Sequence, residues 1–233
     1  MNSRRHSTCC RFGRRFLTIL WMIASFNALA QNDAEVCGSL RNHYGPFDYR
    51  TQRGKVLDVV ERHHFTPEVE GLMRGKSSDN IGADLSYTLG TFPNHHRALM
   101  SMMKFGEKLK SPHPPHAAYS VECYFVRAIR FQPDDTTVRL MYANYLTRNS
   151  RFAESRRALE EVAKVAGDNP LTHYNMGLIY FDMKDYENAL DKAHQALALG
   201  FPRTELRDKL TGAHRWRAPV NSPASESTSP VPK

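Results

Sequence analysis

Residues 170–203 read PLTHYNMGLIYFDMKDYENALDKAHQALALGFPR, and this stretch decides the fold. Laid over residues 136–169, a shift of 34 positions, it keeps side-chain size from one copy to the next. Leu140 falls on Tyr174, Tyr142 on Met176, Ala143 on Gly177 and Leu146 on Tyr180; Phe152 falls on Tyr186, Ser155 on Ala189 and Val162 on Ala196. Departures such as Ala158 on Lys192 fall where a side chain can face solvent. Self-similarity at this period marks a pair of helices that buries its apolar face by stacking on neighbouring pairs. Small residues at matched places let the paired helices approach closely. Asn169 before Pro170, and Asp185 before Tyr186, are residues of the kind that cap helix starts.

Met176, Gly177, Tyr180, Tyr186, Ala189 and Ala196, with Pro202 beyond, give the order large, glycine, aromatic, aromatic, small, small, turn proline. That order resembles the tetratricopeptide repeat. The copy at 136–169 resembles it by size class, through Tyr142, Ala143, Leu146, Phe152, Ser155 and Val162. Phe125, Ala128 and Pro133 look like the second helix of an earlier degenerate copy, with the loop Ser111–His116 as an insertion; Leu85, Leu89, Phe92 and Pro93 look like the end of a still earlier one. The resemblance implies an all-α fold: a short tetratricopeptide-repeat helical array, or α-solenoid, over 83–216. An irregular N-terminal extension with short helices precedes it over 31–82. The segments Tyr44–Arg50, Asp84–Leu89 and Phe92–His95 are also similar to a group of small exported bacterial repeat proteins, which implies architecture and no mechanism.

In this family the first helix of each unit lines a concave groove. Carried over at the 34-residue spacing, the groove would present Leu140, Asn144, Thr147 and Arg148 from one unit, and Tyr174, Leu178, Phe181 and Asp182 from the next. Mixed apolar and polar side chains of this kind suit a protein or peptide partner. Leu140 stands where the carboxylate-clamping subgroup carries a lysine, so Asn144 does not imply that clamp. The bland alternative is that these residues only contact a neighbouring helix. Arg203–Trp216, with Leu206, Leu210 and Ala213 on one face, reads as the helix that closes the array. Residues 217–233, rich in Ser and Pro, read as a disordered tail.

The first thirty residues are a targeting segment rather than fold. Arg4, Arg5, Arg11, Arg14 and Arg15 precede an apolar run over 17–30 that ends in Ala28-Leu29-Ala30. Basic, then apolar, then small-x-small is the order of a secretory signal, with the cut expected after Ala30. An uncleaved anchor is the alternative, although the run is short for a bilayer. The expected location is periplasmic or secreted. Losing five arginines from 32 basic residues leaves 27 against 24 acidic, a net of +3. The high charge of the whole chain is therefore largely a targeting property, and no basic face for nucleic acid is evident.

Cys9 and Cys10 would leave with the signal, and Cys37 and Cys123 remain. An even pair in an oxidising compartment reads as one disulfide, here closing a loop of more than eighty residues. Two separate buried thiols are the alternative.

Little in the chain carries catalysis. There is no Gly-x-Ser-x-Gly, no His-Glu-x-x-His, no phosphate-binding glycine loop and no Cys-x-x-Cys-His. Glu68, Glu70, Asp79 and Asp84 include possible paired carboxylates, better explained by a solvated charged loop. His63-His64, His95-His96, and His113 with His116 could hold zinc or copper. Adjacent positions on a helix point about 100° apart, however, so neither pair forms a two-ligand face. No catalytic, cofactor or metal residues are assigned. The reading is a non-enzymatic binding scaffold of the cell envelope. Its rivals are a metal-handling protein using the histidines and an accessory subunit of an envelope enzyme.

Overall fold

The computed structural model describes residues 37–219. The targeting segment, its cut after Ala30, the linker at 31–36 and all but the first residues of the expected tail lie outside the described residues. Within them the chain is helical, with no strand. The helices are α1 (Lys55–His64), α2 (Pro67–Glu70), α3 (Ile81–Thr91), α4 (His96–Leu109), α5 (Val121–Phe131), α6 (Thr136–Arg148), α7 (Phe152–Ala166), α8 (Pro170–Asp182), α9 (Tyr186–Ala198) and α10 (Glu205–Gly212).

Local chemistry sets four of the ten described starts. An α-helix leaves its first backbone N–H groups without partners, and a polar side chain ahead of it can accept one. Ser120 accepts from the Cys123 N–H, Asp135 from Val138 and Asn169 from Thr172, with Pro170 at the first helical position. His95 does the same for α4 through Nδ1, accepting from Ala98 at 3.1 Å. Asp185 does not cap α9 with its side chain; its carboxylate is engaged by Arg156 and Asn188 instead.

Helices α6 with α7 and α8 with α9 form the two closely packed pairs, and α6 lies against α8. Their shared core holds Ala143, Leu159, Val162, Met176, Tyr180, Ala189 and Ala196, the residues that the 34-residue spacing superimposes or flanks. Gly177 shows why that position is small: a Cβ there would drive into the Leu206 side chain. Phe152 departs from the pattern at 40% exposed, whereas Tyr180 is 7% exposed and Tyr186 is half-buried. The bulk kept at 152 therefore does not mark core.

The closing helix is shorter than Arg203–Trp216. Leu206 and Leu210 are buried as expected, but α10 ends at Gly212 and His214 takes a positive φ of 56°. That turn brings Trp216 back against His194, and the Arg217 carbonyl accepts from the His194 ring.

A second core joins Leu85, Leu89, Leu99, Met102, Phe125, Val138 and Leu146. Phe65, Val69 and Leu72 belong to it too, so α2 and its flanking turns share the array's interior, whereas Leu57 and Val60 of α1 pack with Tyr49 and Phe92. The irregular segment 37–54 is strapped over this half. Cys37 and Cys123 are placed as a disulfide, with Cα atoms 5.1 Å apart. The Phe47 N–H donates to the Thr91 carbonyl and the Tyr49 N–H to the Asn94 side chain. Arg50 reaches Asp48, Gln132 and Asp134.

Candidate functional site: the groove between α6 and α8

Parallel stacking of α6 and α8 leaves an open cavity of about 420 Å³ along their shared face. Leu140 and Asn144 from α6, and Leu178 and Asp182 from α8, line it together. Leu140 is nearly buried and forms floor, Asn144 and Leu178 are half-buried, and Asp182 is exposed.

The other four expected groove residues are placed elsewhere, each for a visible reason. Thr147 is buried and its hydroxyl meets that of Ser155 at 2.8 Å, so it stitches α6 to α7. Tyr174 is 2% exposed; its ring packs on Phe201 and its hydroxyl donates to Glu205, so it anchors the closing segment. Phe181 packs edge-on against Tyr186 beneath Lys209. Arg148 is exposed and paired with Glu107 at 2.5 and 2.9 Å. Alignment carried these residues to the right helices and, for Thr147 and Tyr174, to the wrong face.

Asn175, Leu171 and Ile179 also line the cavity, as do Thr136 and Thr137 at the start of α6 and Met100 from α4. Asn175 was within reach of the sequence, since 171, 175, 178 and 182 follow helical spacing on one face. Met100 was not, because it comes from a helix outside the repeat alignment. The side chains of Asn144, Asn175 and Asp182 make no hydrogen bond or ion pair among the described residues. Although Asp182 is exposed, partial desolvation of its carboxyl against α8 raises it above its ordinary range, against the opposing pull of Lys209 and Arg148.

A larger cleft of about 610 Å³ lies between α5, α6 and α7. Its polar groups are mostly spoken for: Arg139 donates to the Pro133 carbonyl, Glu154 faces Arg151 and Glu161 faces Lys164.

Four of the six candidate histidines serve the fold. His64 faces the buried Asp84 at 2.9 Å, His95 faces Glu61 at 3.1 Å and His96 faces Asp135 at 2.9 Å. The His113 ring donates to the Ala117 carbonyl. Asp84 is thus not in a solvated loop: it is 1% exposed and also accepts from the Lys76 N–H. Among the described residues no group of three or more His, Cys, Asp or Glu is arranged to hold a metal ion.

Residues 170–200 match the family model of the tetratricopeptide repeat. This segment is therefore similar to a tetratricopeptide repeat. No curated protein matches the chain. The matched repeat comprises α8 and most of α9, so it supplies one wall of the groove, and the size-matched pair α6–α7 supplies the other. Tetratricopeptide repeats serve protein interaction, and the groove is where this array offers a concave surface. Among the described residues no helix is long and apolar enough to cross a membrane.

Proposed function

We propose that the protein is a non-enzymatic scaffold of the cell envelope that holds a segment of another protein in the α6–α8 groove. The observation carrying this is the groove itself: an open cavity with apolar floor and three polar side chains, Asn144, Asn175 and Asp182, without intramolecular partners. Such groups cost little while hydrated and gain when a ligand supplies matching donors and acceptors. Export rests on the basic, apolar and small-x-small order of the first thirty residues. The paired cysteines fit an oxidising compartment.

A photo-crosslinking residue at Leu171, which is 50% exposed at the groove rim, tests the reading against one at Val165, 50% exposed on α7 outside the groove. In cells, a defined partner should crosslink from 171 and not from 165, and Asn144→Ala with Asn175→Ala should abolish it. Equal crosslinking from both sites would remove the groove from consideration. Fractionation and N-terminal sequencing test location: the mature chain should leave the cytoplasm and begin at Gln31.

A further inference from the structure

The groove is chemically lopsided. Among its lining residues Asp182 is the one ionisable group, and no Lys or Arg opens onto the cavity. The nearby cations are occupied: Arg148 is paired with Glu107, and Lys209 stands over Phe181 with Glu205 at 3.9 Å. Asp182 makes no hydrogen bond or close ion pair among the described residues, and Lys209 and Arg148 reach it only at longer range. Partial desolvation holds its carboxyl above the ordinary range despite the pull of Lys209 and Arg148, a condition that a cation bound beside it would relieve.

The amides set a direction. Asn144 and Asn175 each carry a donor and an acceptor, the pair that a peptide unit of an extended chain can answer. Asn175 and Asp182 lie seven positions apart on α8, about 10.5 Å along its axis at the helical rise. An extended chain advances about 3.3 Å per residue, so that distance spans about three residues. Leu171, one turn before Asn175, presents apolar surface at the other end.

We infer that the groove takes an extended segment of a partner protein carrying a Lys or Arg about three residues from the peptide unit held by Asn175, with that cation on Asp182. This rests on the groove being the binding site. It disfavours the acidic C-terminal peptides that a cationic clamp would recognise, because Leu140 stands in place of the clamp's lysine and Asp182 adds an acid.

The test uses the full chain and fluorescein-labelled nine-residue peptides, matched in sequence except for one varied position holding Lys, norleucine or Glu. Affinities are read by polarisation at low and at physiological salt. The Lys peptides should bind about tenfold more tightly than the Glu peptides. The preference should vanish in Asp182→Asn and survive in Arg148→Ala, with helicity unchanged in both. Asn144→Ala with Asn175→Ala should weaken every peptide alike. If peptides bind through the amides but Lys and Glu are equivalent, or the preference survives Asp182→Asn, the charge rule is wrong and the groove reading stands. If no peptide binds at any charge, both are wrong. Self-association that depends on Asp182 would assign the groove to a second copy. Binding that appears only after removal of residues 220–233 would assign it to the chain's own C-terminal segment. Either result overturns the inference.

Discussion

The His96 ring stands 3.0 and 2.9 Å from the two carboxylate oxygens of Asp135, with Nε2–H as the donor. Asp135 is also the cap of α6, accepting from the Val138 N–H at 3.2 Å, and it accepts from Asn94 at 3.0 Å. Asn94 in turn donates to Asp48. One carboxylate, 2% exposed, therefore joins the start of α4, the start of α6 and the strap at 45–50. Burial raises its carboxyl, but His96, Asn94 and the Val138 N–H more than offset this, and the group sits below the ordinary aspartate range.

Removing that carboxylate should cost more than an ordinary cap. Asp135→Ala leaves His96 and Asn94 facing an unfilled buried site and opens the first turn of α6. A loss of about 3–5 kcal/mol is expected, the range for breaking a buried pair from one side. Asp135→Asn, which keeps an acceptor for Val138, should lose clearly less. Urea unfolding of the three proteins decides the matter; equal stability of Asp135→Ala and the parent would dismiss the junction as decoration.

Acid sensitivity should come in two stages. His95 is fully buried, its Nδ1 accepts from Ala98, and Nε2–H donates to Glu61, so the fold holds it neutral. Burial lowers its pKa, ahead of the opposing pull of Glu61. The unfolded chain then binds a proton that the folded chain resists. Stability is full above the unfolded value of about 6.5 and falls as pH drops below it. Asp135 and Glu61, both lowered, and Asp48, lowered to about 2 chiefly by Arg50, withdraw their contributions only below about pH 4. His95→Asn keeps a capping side chain and should flatten the decline between pH 7.5 and 5.5 while leaving the later one. Unfolding curves across that range check it; an unchanged slope would mean His95 is not the group responsible.

The repeat half was legible because its signal is periodic. Gly177, Ala189 and Ala196 recur where close helix contact demands small side chains, and a 34-residue shift exposes them without knowledge of the fold. The face of each helix was less legible. Thr147 and Tyr174 sit at groove-like positions in the alignment, yet Ser155 and Phe201 draw them inward, and those contacts depend on tertiary packing. The histidine–carboxylate pairs were illegible for the same reason: Glu61 lies 34 positions from His95, and Asp135 lies 39 from His96. Nothing local announces which carboxylate each ring will meet.

Two glycines should differ in how they tolerate a methyl group. At Gly177 an added Cβ meets the far end of the buried Leu206 side chain, which can shift more readily than backbone. At Gly82 it meets the Pro115 carbonyl oxygen and the Ala117 nitrogen, backbone atoms fixed by the Ser111–Ser120 loop. Gly82→Ala should therefore cost at least 2 kcal/mol more than Gly177→Ala, at about the upper range for overpacking. Thermal and urea unfolding give the comparison. The reverse order would show that the loop yields more readily than the α8–α10 contact.

The strap at 37–54 is pinned where Cys37 and Cys123 are placed as a disulfide and by Arg127, whose guanidinium donates to the carbonyls of Cys37 at 2.9 Å and Ser39 at 2.8 Å while stacking on Tyr119. The chain between the cysteines spans 86 positions, so closing it in the unfolded state removes much freedom. Cys37→Ser with Cys123→Ser should cost about 2–4 kcal/mol. Because Arg127, the Phe47–Thr91 bond and the Tyr49–Asn94 bond remain, the variant should stay folded, with faster hydrogen exchange concentrated at the Phe47 and Tyr49 amides. Adding Arg127→Met should then release the strap, so that the combined variant loses more than the sum of the two separate changes. Additive losses, or two free thiols in the denatured parent, would show that the cysteine link does not hold this segment.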